Sequence, residues 1–318
     1  MKNQLTNEEI ISILKQLKED LKREGKKLPF LNITGGEPLL RKDFVPLMKT
    51  INKMGYNWGM TTNGLLLDDE MVRGIYEAGI YSISISIDGL EKTHDWFRQT
   101  KGSYKKAMEA VDKLSKLRLG NLMVTTVVHK QNIDELDELY DIMKKKNINT
   151  WRVINVDPIG RAATDDSIRL DTLDYKRIMD FLKENRAKDK NLDLIYGCNH
   201  FLGYEYEREV RPWYFLCNAG IYTAGILYNG DISACLDIDR NQPGVIQGNA
   251  RKDNLYDTWI NKFEIYRKDR TVDSKTCKDC KHREECQGEG FHTWDLEKNE
   301  PMLCMYNEIE KARKLEEK

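Results

Sequence analysis

Helix-like and strand-like segments alternate along the first half of this chain, and this alternation restricts its fold more than any other feature. Residues 7–24 carry apolar side chains at helical spacing after a Thr6/Asn7 cap candidate, and PFLNIT at 29–34 is typical of a buried strand. The later segments alternate in the same way, with helices predicted at 43–54, 68–77, 103–118, 133–146 and 171–189 and strands at 57–62, 82–87, 122–128 and 150–156. This order predicts right-handed βαβ units and a parallel α/β sheet or barrel.

The predicted barrel is incomplete at its beginning. The alternation starts with a helix, so the strand that should precede it is absent and the first strand present has an unpaired edge. After Pro158-Ile159-Gly160 the pattern loosens, and from about residue 195 the chain is rich in loops, glycine and cysteine. We therefore predict a domain boundary near residue 190.

Composition and charge argue against several classes of partner. The 318 residues include 51 Lys and Arg and 52 Asp and Glu, so the net charge is −1 and no basic surface for nucleic acid is predicted. The N-terminal MKNQLTNEEI is polar, and no segment approaches the roughly 20 apolar residues of a membrane span. We expect a cytoplasmic protein in a reducing compartment, where clustered cysteines indicate metal or redox chemistry more often than disulfides.

All seven cysteines lie in the last two-fifths of the chain, and none precedes residue 198. Four of them have the spacing Cys-x2-Cys-x5-Cys with one more after a gap: Cys277, Cys280, Cys286 and Cys304. Four thiolates can hold one iron–sulfur cluster or close one tetrahedral metal site. The other three form a separate set: Cys198, Cys217 and Cys235. The C-terminal third is thus predicted to fold around metal.

Polar residues and glycines follow the predicted strands, at the edge where parallel α/β folds bind ligands. The first strand ends in Gly35-Gly36-Glu37-Pro38, where two glycines allow close approach to the backbone and a carboxylate can bind an ammonium group. Arg98 follows the third strand and can bind a carboxylate in bidentate fashion. The residues that end the second and third strands offer further polar groups, some of which suit a ribose: Asn63, Ser86 and Asp88. Together these groups fit an amino-acid nucleoside.

Four of these segments resemble the SAM-binding barrel of the radical SAM enzymes: GGEP at 35–38, TTNG at 61–64, SISIDG at 84–89 and HDWFR at 94–98. The cysteine pattern resembles the SPASM domain, which carries auxiliary iron–sulfur clusters, because Cys217, Gly230 and Cys235 match its first part and the four later cysteines its second. The resemblance implies a partial (β/α)6 radical SAM barrel missing its first strand, over residues 1–190. A loop-rich SPASM domain over residues 191–318 would follow.

The resemblance also implies cofactors and residue roles. The amino end of the methionine of S-adenosylmethionine (SAM) would lie at the first strand end, against Gly35, Gly36, Glu37 and Pro38. Arg98 would meet its carboxylate and Ser86 the same moiety, with Asn63 and Asp88 shaping the strand ends. In this family a cluster reduced by an electron donor cleaves SAM to a 5′-deoxyadenosyl radical, which takes a hydrogen atom from the substrate.

The first departure from the family pattern concerns the catalytic cluster. Radical SAM enzymes hold this cluster with Cys-x3-Cys-x2-Cys just after the first barrel strand, and this sequence contains no such motif. We expect the chain to be a fragment of a longer protein, with a natural homologue that lacks the cluster as the alternative.

The second departure concerns position 290, where the SPASM pattern has a cysteine and this chain has Gly290. The second auxiliary 4Fe-4S cluster keeps four thiolates, whereas the first would keep three: Cys198, Cys217 and Cys235. Three thiolates leave one iron open; the alternative is an empty site with Cys198 as a buried apolar residue. His282, Glu289 and His292 are nearby in sequence and are expected to be ordinary surface residues.

Several functions remain open at this point. The leading hypothesis is a radical SAM/SPASM enzyme that modifies a peptide or protein side chain, as family members that mature ribosomal peptides do. Modification of a tetrapyrrole in haem biosynthesis is a second possibility within the family. A different class is a non-catalytic iron–sulfur protein that binds a peptide or transfers electrons, and a third is a zinc protein, since Cys-x2-Cys is equally a zinc ligand pair.

Overall fold

The computed structural model describes residues 3–188 and 191–317, and the first half of the chain is built on one open parallel sheet. The sheet contains six strands in sequential order: β1 (Leu31–Ile33), β2 (Trp58–Thr62), β3 (Ile80–Ser86), β4 (Asn121–Val128), β5 (Thr150–Asn155) and β6 (Asp193–Tyr196). Every neighbouring pair is parallel, so the carboxyl ends of all six strands lie at one edge. Seven helices precede or connect the strands: α1 (Asn7–Arg23), α2 (Phe44–Lys53), α3 (Asp69–Glu77), α4 (Glu91–Phe97), α5 (Ser103–Leu114), α6 (Leu136–Lys144) and α7 (Thr172–Lys188).

Local sequence signals fix where helices of this half begin. At the start of α1, the Thr6 side chain accepts a hydrogen bond from the Glu9 backbone N–H, and the Glu9 carboxylate accepts one from the Thr6 N–H. This reciprocal capping box confirms Thr6 as the predicted cap. Asp68 caps α3 in a simpler way, because its carboxylate accepts from the N–H of Met71.

The two faces of the sheet differ in polarity. On one side, alternate residues of β3 and its extension are buried in the main hydrophobic core: Ile83, Ile85 and Ile87. Strand residues between them point to the opposite face, as the twofold period of a strand requires: Ser82, Ser84 and Ser86. The sheet therefore packs helices on an apolar face and presents hydroxyl groups on the other.

The structure confirms the predicted α/β fold with a parallel sheet, and the five strands predicted for this half are all present with small shifts of their ends. A sixth strand, β6, was not predicted, because its four residues stand beside the loop-rich region and give too short an apolar run. The predicted boundary near residue 190 and the predicted helix end at Asp189 lie outside the described residues. The strand β1 forms one edge of the sheet and is paired only with β2 within the described residues.

The C-terminal part is made of short elements around a second, smaller core. Its strands are β7 (Gly225–Ile226), β8 (Asp231–Ser233), β9 (Gly248–Asn249), β10 (Trp294–Asp295) and β11 (Glu300–Pro301). Its helices are α8 (Tyr204–Val210), α9 (Leu255–Asn261), α10 (Glu264–Arg267), α11 (Arg283–Cys286) and α12 (Met305–Glu316). Phe263, Tyr266 and Phe291 pack in this core, while α12 returns to pack on α7 of the first half. In the described parts of the chain, no helix has the length and apolar character needed to span a membrane.

Candidate functional site

Glu37 ties the ends of the first two strands together. Its Oε1 accepts hydrogen bonds from the Thr62 hydroxyl at 2.8 Å and from the Leu39 N–H at 3.1 Å, and its Oε2 accepts from the Asn63 N–H at 2.8 Å. The carboxylate thus caps the short 3₁₀ turn Pro38–Leu40 and fixes it against the end of β2. A carboxylate held by three donors keeps its position at the strand ends.

Asp88 and Arg98 form an ion pair at the end of β3. Asp88 is fully buried, and its Oδ2 lies 2.6 Å from Arg98 Nε while its Oδ1 accepts from the Val127 N–H at 2.9 Å. Asp88 therefore connects the ends of β3 and β4 and orients the guanidinium of Arg98, whose side chain stays 32% exposed. An oriented, partly exposed guanidinium at the carboxyl edge can still bind an anionic group.

The other predicted SAM contacts lie at the same edge. Gly35, at a φ of +121°, and Gly36 are exposed, and a side chain added at either would meet no atom within 4 Å. Asn63 turns its side-chain oxygen to the Leu65 N–H at 2.9 Å, which closes the turn after β2. Pro38 begins the 3₁₀ turn after Glu37, and Ser86 lies half-buried at the end of β3. The structure thus brings the predicted residues to one edge; their contact with SAM stays a prediction.

A polar row crosses the hydroxyl face of the sheet. Ser84 and Thr125 share a hydrogen bond of 2.7 Å between their hydroxyls, and Arg152 Nε donates to Thr125 at 3.1 Å. Gly197 is required beside this arginine, because a Cβ there would stand 2.4 Å from Arg152 Cγ. The row carries hydrogen-bonding groups from β3 over β4 to β5.

Four cysteines surround one cavity in the C-terminal part. The cavity has a volume of about 250 Å³, and its lining includes all four members of the predicted second cluster site: Cys277, Cys280, Cys286 and Cys304. Burial raises the pKa of the Cys277, Cys286 and Cys304 thiols, so binding of metal must displace their protons. The residues present thus fit a cluster held by four thiolates.

A buried arginine supports this fit. The Nη2 of Arg270 donates to the carbonyl oxygens of Gly288 and Glu289 at 2.9 and 2.6 Å, but its buried Nε has no hydrogen-bond partner among the described residues. The guanidinium lies within electrostatic range of three thiols, Cys217, Cys277 and Cys286, and of the Asp269 carboxylate. A buried cation with a free N–H is expensive in an apolar core, and anionic clusters at these cysteines would neutralise it.

The spacing of the thiols also bears on the zinc alternative. Zinc bound by four thiolates at 2.3 Å requires sulfur–sulfur distances of about 3.8 Å. Among the described residues, the single group of three or more Cys, His, Asp or Glu ligand atoms within 4.8 Å of one another is Asp157, Cys198 and His200. In the described part of the chain, no three of the four cavity cysteines have their sulfur atoms within 4.8 Å of one another.

The predicted first cluster site is less compact. Cys217 Sγ accepts a hydrogen bond from the Phe291 N–H at 3.4 Å, and Cys235 lies within electrostatic range of Cys217. Cys198 is buried at the end of β6, where it belongs to the group with Asp157 and His200. Burial raises the pKa of the Cys235 thiol to about 12, and it raises the pKa of Cys198 further. Whether these three thiols hold one cluster stays a prediction.

A buried chain of charged groups runs between the two cysteine sets, and sequence reasoning missed it. His200 lies 2.8 Å from Glu289 through Nδ1 and 2.9 Å from Asp157 through Nε2, and the other Asp157 oxygen lies 2.9 Å from His292 Nε2. Burial disfavours charge here, yet Asp157 and Glu289 raise the pKa of His200 to about 10. Conversely, burial raises the pKa of Asp157, but His200 and His292 hold it well below its usual range.

The burial of three side chains corrects the expectation that Glu289, His282 and His292 are surface residues. Glu289 is 2% and His282 9% exposed, and His292 is 15% exposed. Glu289 follows a tight turn at Gln287–Gly288 that directs its side chain inward, which local sequence does not reveal. The Cys198-x-His200 spacing was the one signal in the sequence that could have pointed to this region.

Comparison with known protein families finds one matching domain in each half of the chain. Residues 2–143 match the model of the radical SAM superfamily, and residues 217–281 match that of the SPASM iron–sulfur cluster-binding domain. The chain carries a radical SAM domain followed by a SPASM domain. These domains imply SAM and iron–sulfur clusters as cofactors.

Individual relatives of this radical SAM/SPASM chain differ in function. It is 26% identical over 274 residues to the AdoMet-dependent heme synthase of Methanosarcina barkeri, covering 82% of this chain and 76% of that protein. It is 25% identical over 261 residues to the mycofactocin maturase MftC of Mycolicibacterium smegmatis, covering 81% of this chain and 65% of that protein. Its fold resembles the crystal structure of Streptococcus suis SuiB with a TM-score of 0.71 at 20% identity, over 89% of this chain and 66% of that one.

The given sequence has no cysteine before residue 198, so none of the residues at the strand ends offers a thiolate for the cluster that generates the radical. The SPASM domain, in contrast, supplies four thiols around one cavity and the buried Arg270 guanidinium, whose Nε has no hydrogen-bond partner among the described residues.

Proposed function

We propose that this chain acts as a radical SAM/SPASM iron–sulfur protein in the modification of a peptide or protein side chain in the cytoplasm. The observation that carries the proposal is the cavity lined by Cys277, Cys280, Cys286 and Cys304, on the same chain as the Glu37 and Arg98 strand ends. When bound, clusters of this kind supply one-electron transfer, which requires a reducing partner.

In this proposal the residues of the chain bind SAM and the substrate and orient them. Glu37 places a fixed carboxylate where the ammonium group of SAM would bind, and Arg98, held by Asp88, places a guanidinium for its carboxylate. The buried hydroxyls of Ser84 and Thr125 and the guanidinium of Arg152 lie on the hydroxyl face of the sheet. Hydrogen-bonding groups of this kind suit a peptide backbone, and the relative MftC is a maturase.

A tetrapyrrole is the second candidate substrate, because the similarity to the heme synthase of Methanosarcina barkeri extends over 76% of that protein. The polar row on the sheet favours the peptide, since the faces of a tetrapyrrole macrocycle are apolar and need apolar walls.

Iron analysis and two binding assays test these statements. After anaerobic reconstitution with iron and sulfide, we expect at least four irons per chain, about four for each occupied cluster site. Equilibrium dialysis with radiolabelled SAM should show saturable binding. Zinc without sulfide would refute the cluster assignment, and absence of SAM binding would refute the role of the strand ends.

The substrate class is tested separately. A pool of fluorescent synthetic peptides containing cysteine is titrated with the reconstituted protein, and iron coproporphyrin is titrated in parallel by its Soret band. We expect saturable peptide binding that is strengthened by SAM. Tight porphyrin binding without peptide binding would replace the peptide by the tetrapyrrole.

A further inference from the structure

His292 occupies the space in which the SPASM pattern has a cysteine side chain. A Cβ built on Gly290 would stand 2.6 Å from Cε1 and 2.8 Å from Nδ1 of His292. Both distances are too short for atoms that are not bonded, so a side chain at position 290 and the imidazole in this position exclude each other. The imidazole has therefore taken the place of the missing thiol.

The imidazole is held as a metal-ligating histidine usually is. Its Nε2 lies 2.9 Å from a carboxylate oxygen of Asp157, so this nitrogen carries the proton and Nδ1 keeps its lone pair. Histidine ligands of metals commonly donate their other N–H to a carboxylate, which fixes the ring and raises its basicity. The Nδ1 of His292 makes no hydrogen bond within the described residues, and it lies with Cε1 on the ring edge next to position 290.

Neighbouring polar groups are already engaged. Glu289 accepts from the Met305 N–H through Oε1 and contacts His200 through Oε2, and both ring nitrogens of His200 are hydrogen-bonded. Asp157 uses one oxygen for His200 and the other for His292. Nδ1 of His292 is thus the one ring or carboxylate atom of this hydrogen-bonded set that lacks a direct partner.

Two thiols contact residues that adjoin His292 in sequence or in the hydrogen-bonded set. Phe291, between Gly290 and His292, donates its N–H to Cys217 Sγ at 3.4 Å. Cys198 Sγ lies within 4.8 Å of ligand atoms of Asp157 and His200, so the hydrogen-bonded set connects it to His292. An imidazole is an accepted replacement for a thiolate on iron–sulfur clusters and raises their reduction potential.

We propose that Nδ1 of His292 ligates the first auxiliary iron–sulfur cluster, in place of the cysteine that this chain lacks at position 290. The site then combines Cys217, Cys235 and His292 with Cys198 as the predicted remaining thiolate, and no iron is left open. The inference rests on the binding of SPASM-type clusters and does not depend on which substrate the protein modifies.

Pulsed EPR on the full, reconstituted and reduced protein provides the test. Two occupied sites correspond to about eight irons per chain. Hyperfine spectra should show a strongly coupled nitrogen that changes when histidine is labelled with ¹⁵N. This coupling should disappear in His292→Ala, with a fall to about four irons if the ligand is required for assembly. Eight irons without histidine coupling, or coupling that persists in His292→Ala, would overturn the proposal.

A second variant separates loss of a ligand from loss of the fold. In the double variant Gly290→Cys/His292→Ala the imidazole is removed and a thiol takes its place, as in the SPASM pattern. We expect about eight irons, no histidine coupling and a reduction potential below that of the wild-type first cluster. About four irons in the wild type and in both variants would show that the first site holds no cluster, and the proposal would fail while the second cluster assignment stands.

Discussion

Two nitrogens of the Arg98 guanidinium approach one oxygen of Asp88, with Nε at 2.6 Å and Nη2 at 2.5 Å from Oδ2. Asp88 is completely buried and Arg98 is one-third exposed, so the pair stands at the boundary between the core and the open strand ends. This relationship makes the orientation of Arg98 depend on a residue that no ligand can reach.

Asp88→Asn should therefore affect both stability and binding. The amide can still accept from the Val127 N–H, but the ion pair is lost, and because Arg98 is partly solvated we expect a cost of about 2 kcal/mol in the free energy of unfolding. SAM binding, measured by equilibrium dialysis, should weaken because Arg98 is no longer oriented. Asp112→Asn breaks an exposed ion pair with Lys146 and is the matched control, with less than about 1 kcal/mol expected. Equal effects of the two substitutions would contradict this role of Asp88.

Glu37→Gln tests the carboxylate that joins the first two strand ends. One of its oxygens becomes an NH₂ group that faces the N–H of Asn63 or the donors at Leu39 and Thr62. A donor placed against a donor leaves a hydrogen bond unmade, so we expect a loss of about 1–2 kcal/mol in chemical denaturation and weaker SAM binding. Glu24→Gln, at the exposed end of α1, should leave both measurements unchanged. Unaltered SAM affinity in Glu37→Gln would show that the negative charge is not used for binding.

The contrast between the strands and the buried polar chain shows what the sequence can reveal. Strands such as β3 and helices such as α1 were predicted because their periodicity and caps are local, and local patterns persist in the folded chain. The ion pair of Asp88 and Arg98 was only partly foreseen, since the strand-end position was recognisable and the pairing was not.

Contacts distant in sequence remained hidden. Glu289 and His200 are 89 residues apart, and nothing in the sequence around either indicates that they meet in the interior. Such a contact depends on how the short loops of the SPASM domain fold back on β6, which has no periodic signal. The four cysteines of the cavity were predictable for the opposite reason, because their spacing is itself the signal.

Cys280→Ala should remove one whole cluster. The thiol is one of four around the cavity, and the loops of this part have little other core to hold them. We expect about four fewer irons per chain and a lower melting temperature for the C-terminal part. Hydrogen exchange of residues 271–304 measures the loss of stability in this part. Lys278→Ala, an exposed neighbour, is the control and should keep both iron and melting behaviour. Unchanged iron in Cys280→Ala would refute the assignment of this cysteine as a ligand.

His129 should make the stability of the sheet domain depend on pH. The ring is fully buried, stacks on Phe97 with 4.3 Å between ring centroids, accepts from the Gln131 N–H through Nδ1 and leaves Nε2 without a partner in the described structure. Burial lowers its pKa from 6.5 to about 4. The unfolded chain therefore binds more protons between these values, and the stability contributed by neutral His129 is present above pH 6.5 and is lost as the pH falls toward 4.

The size of this effect follows from the shift. Between about pH 7 and pH 5 the free energy of unfolding should fall by about 2 kcal/mol through His129 alone. Burial also lowers the pKa of His94, which adds a loss in the same direction. His129→Gln keeps an acceptor for Gln131 but cannot titrate, so urea denaturation at the two pH values should show a smaller loss in the variant than in the wild type. If both proteins lose the same amount, His129 is not a source of the pH dependence, and the slope belongs to His94, His200 and the acidic residues.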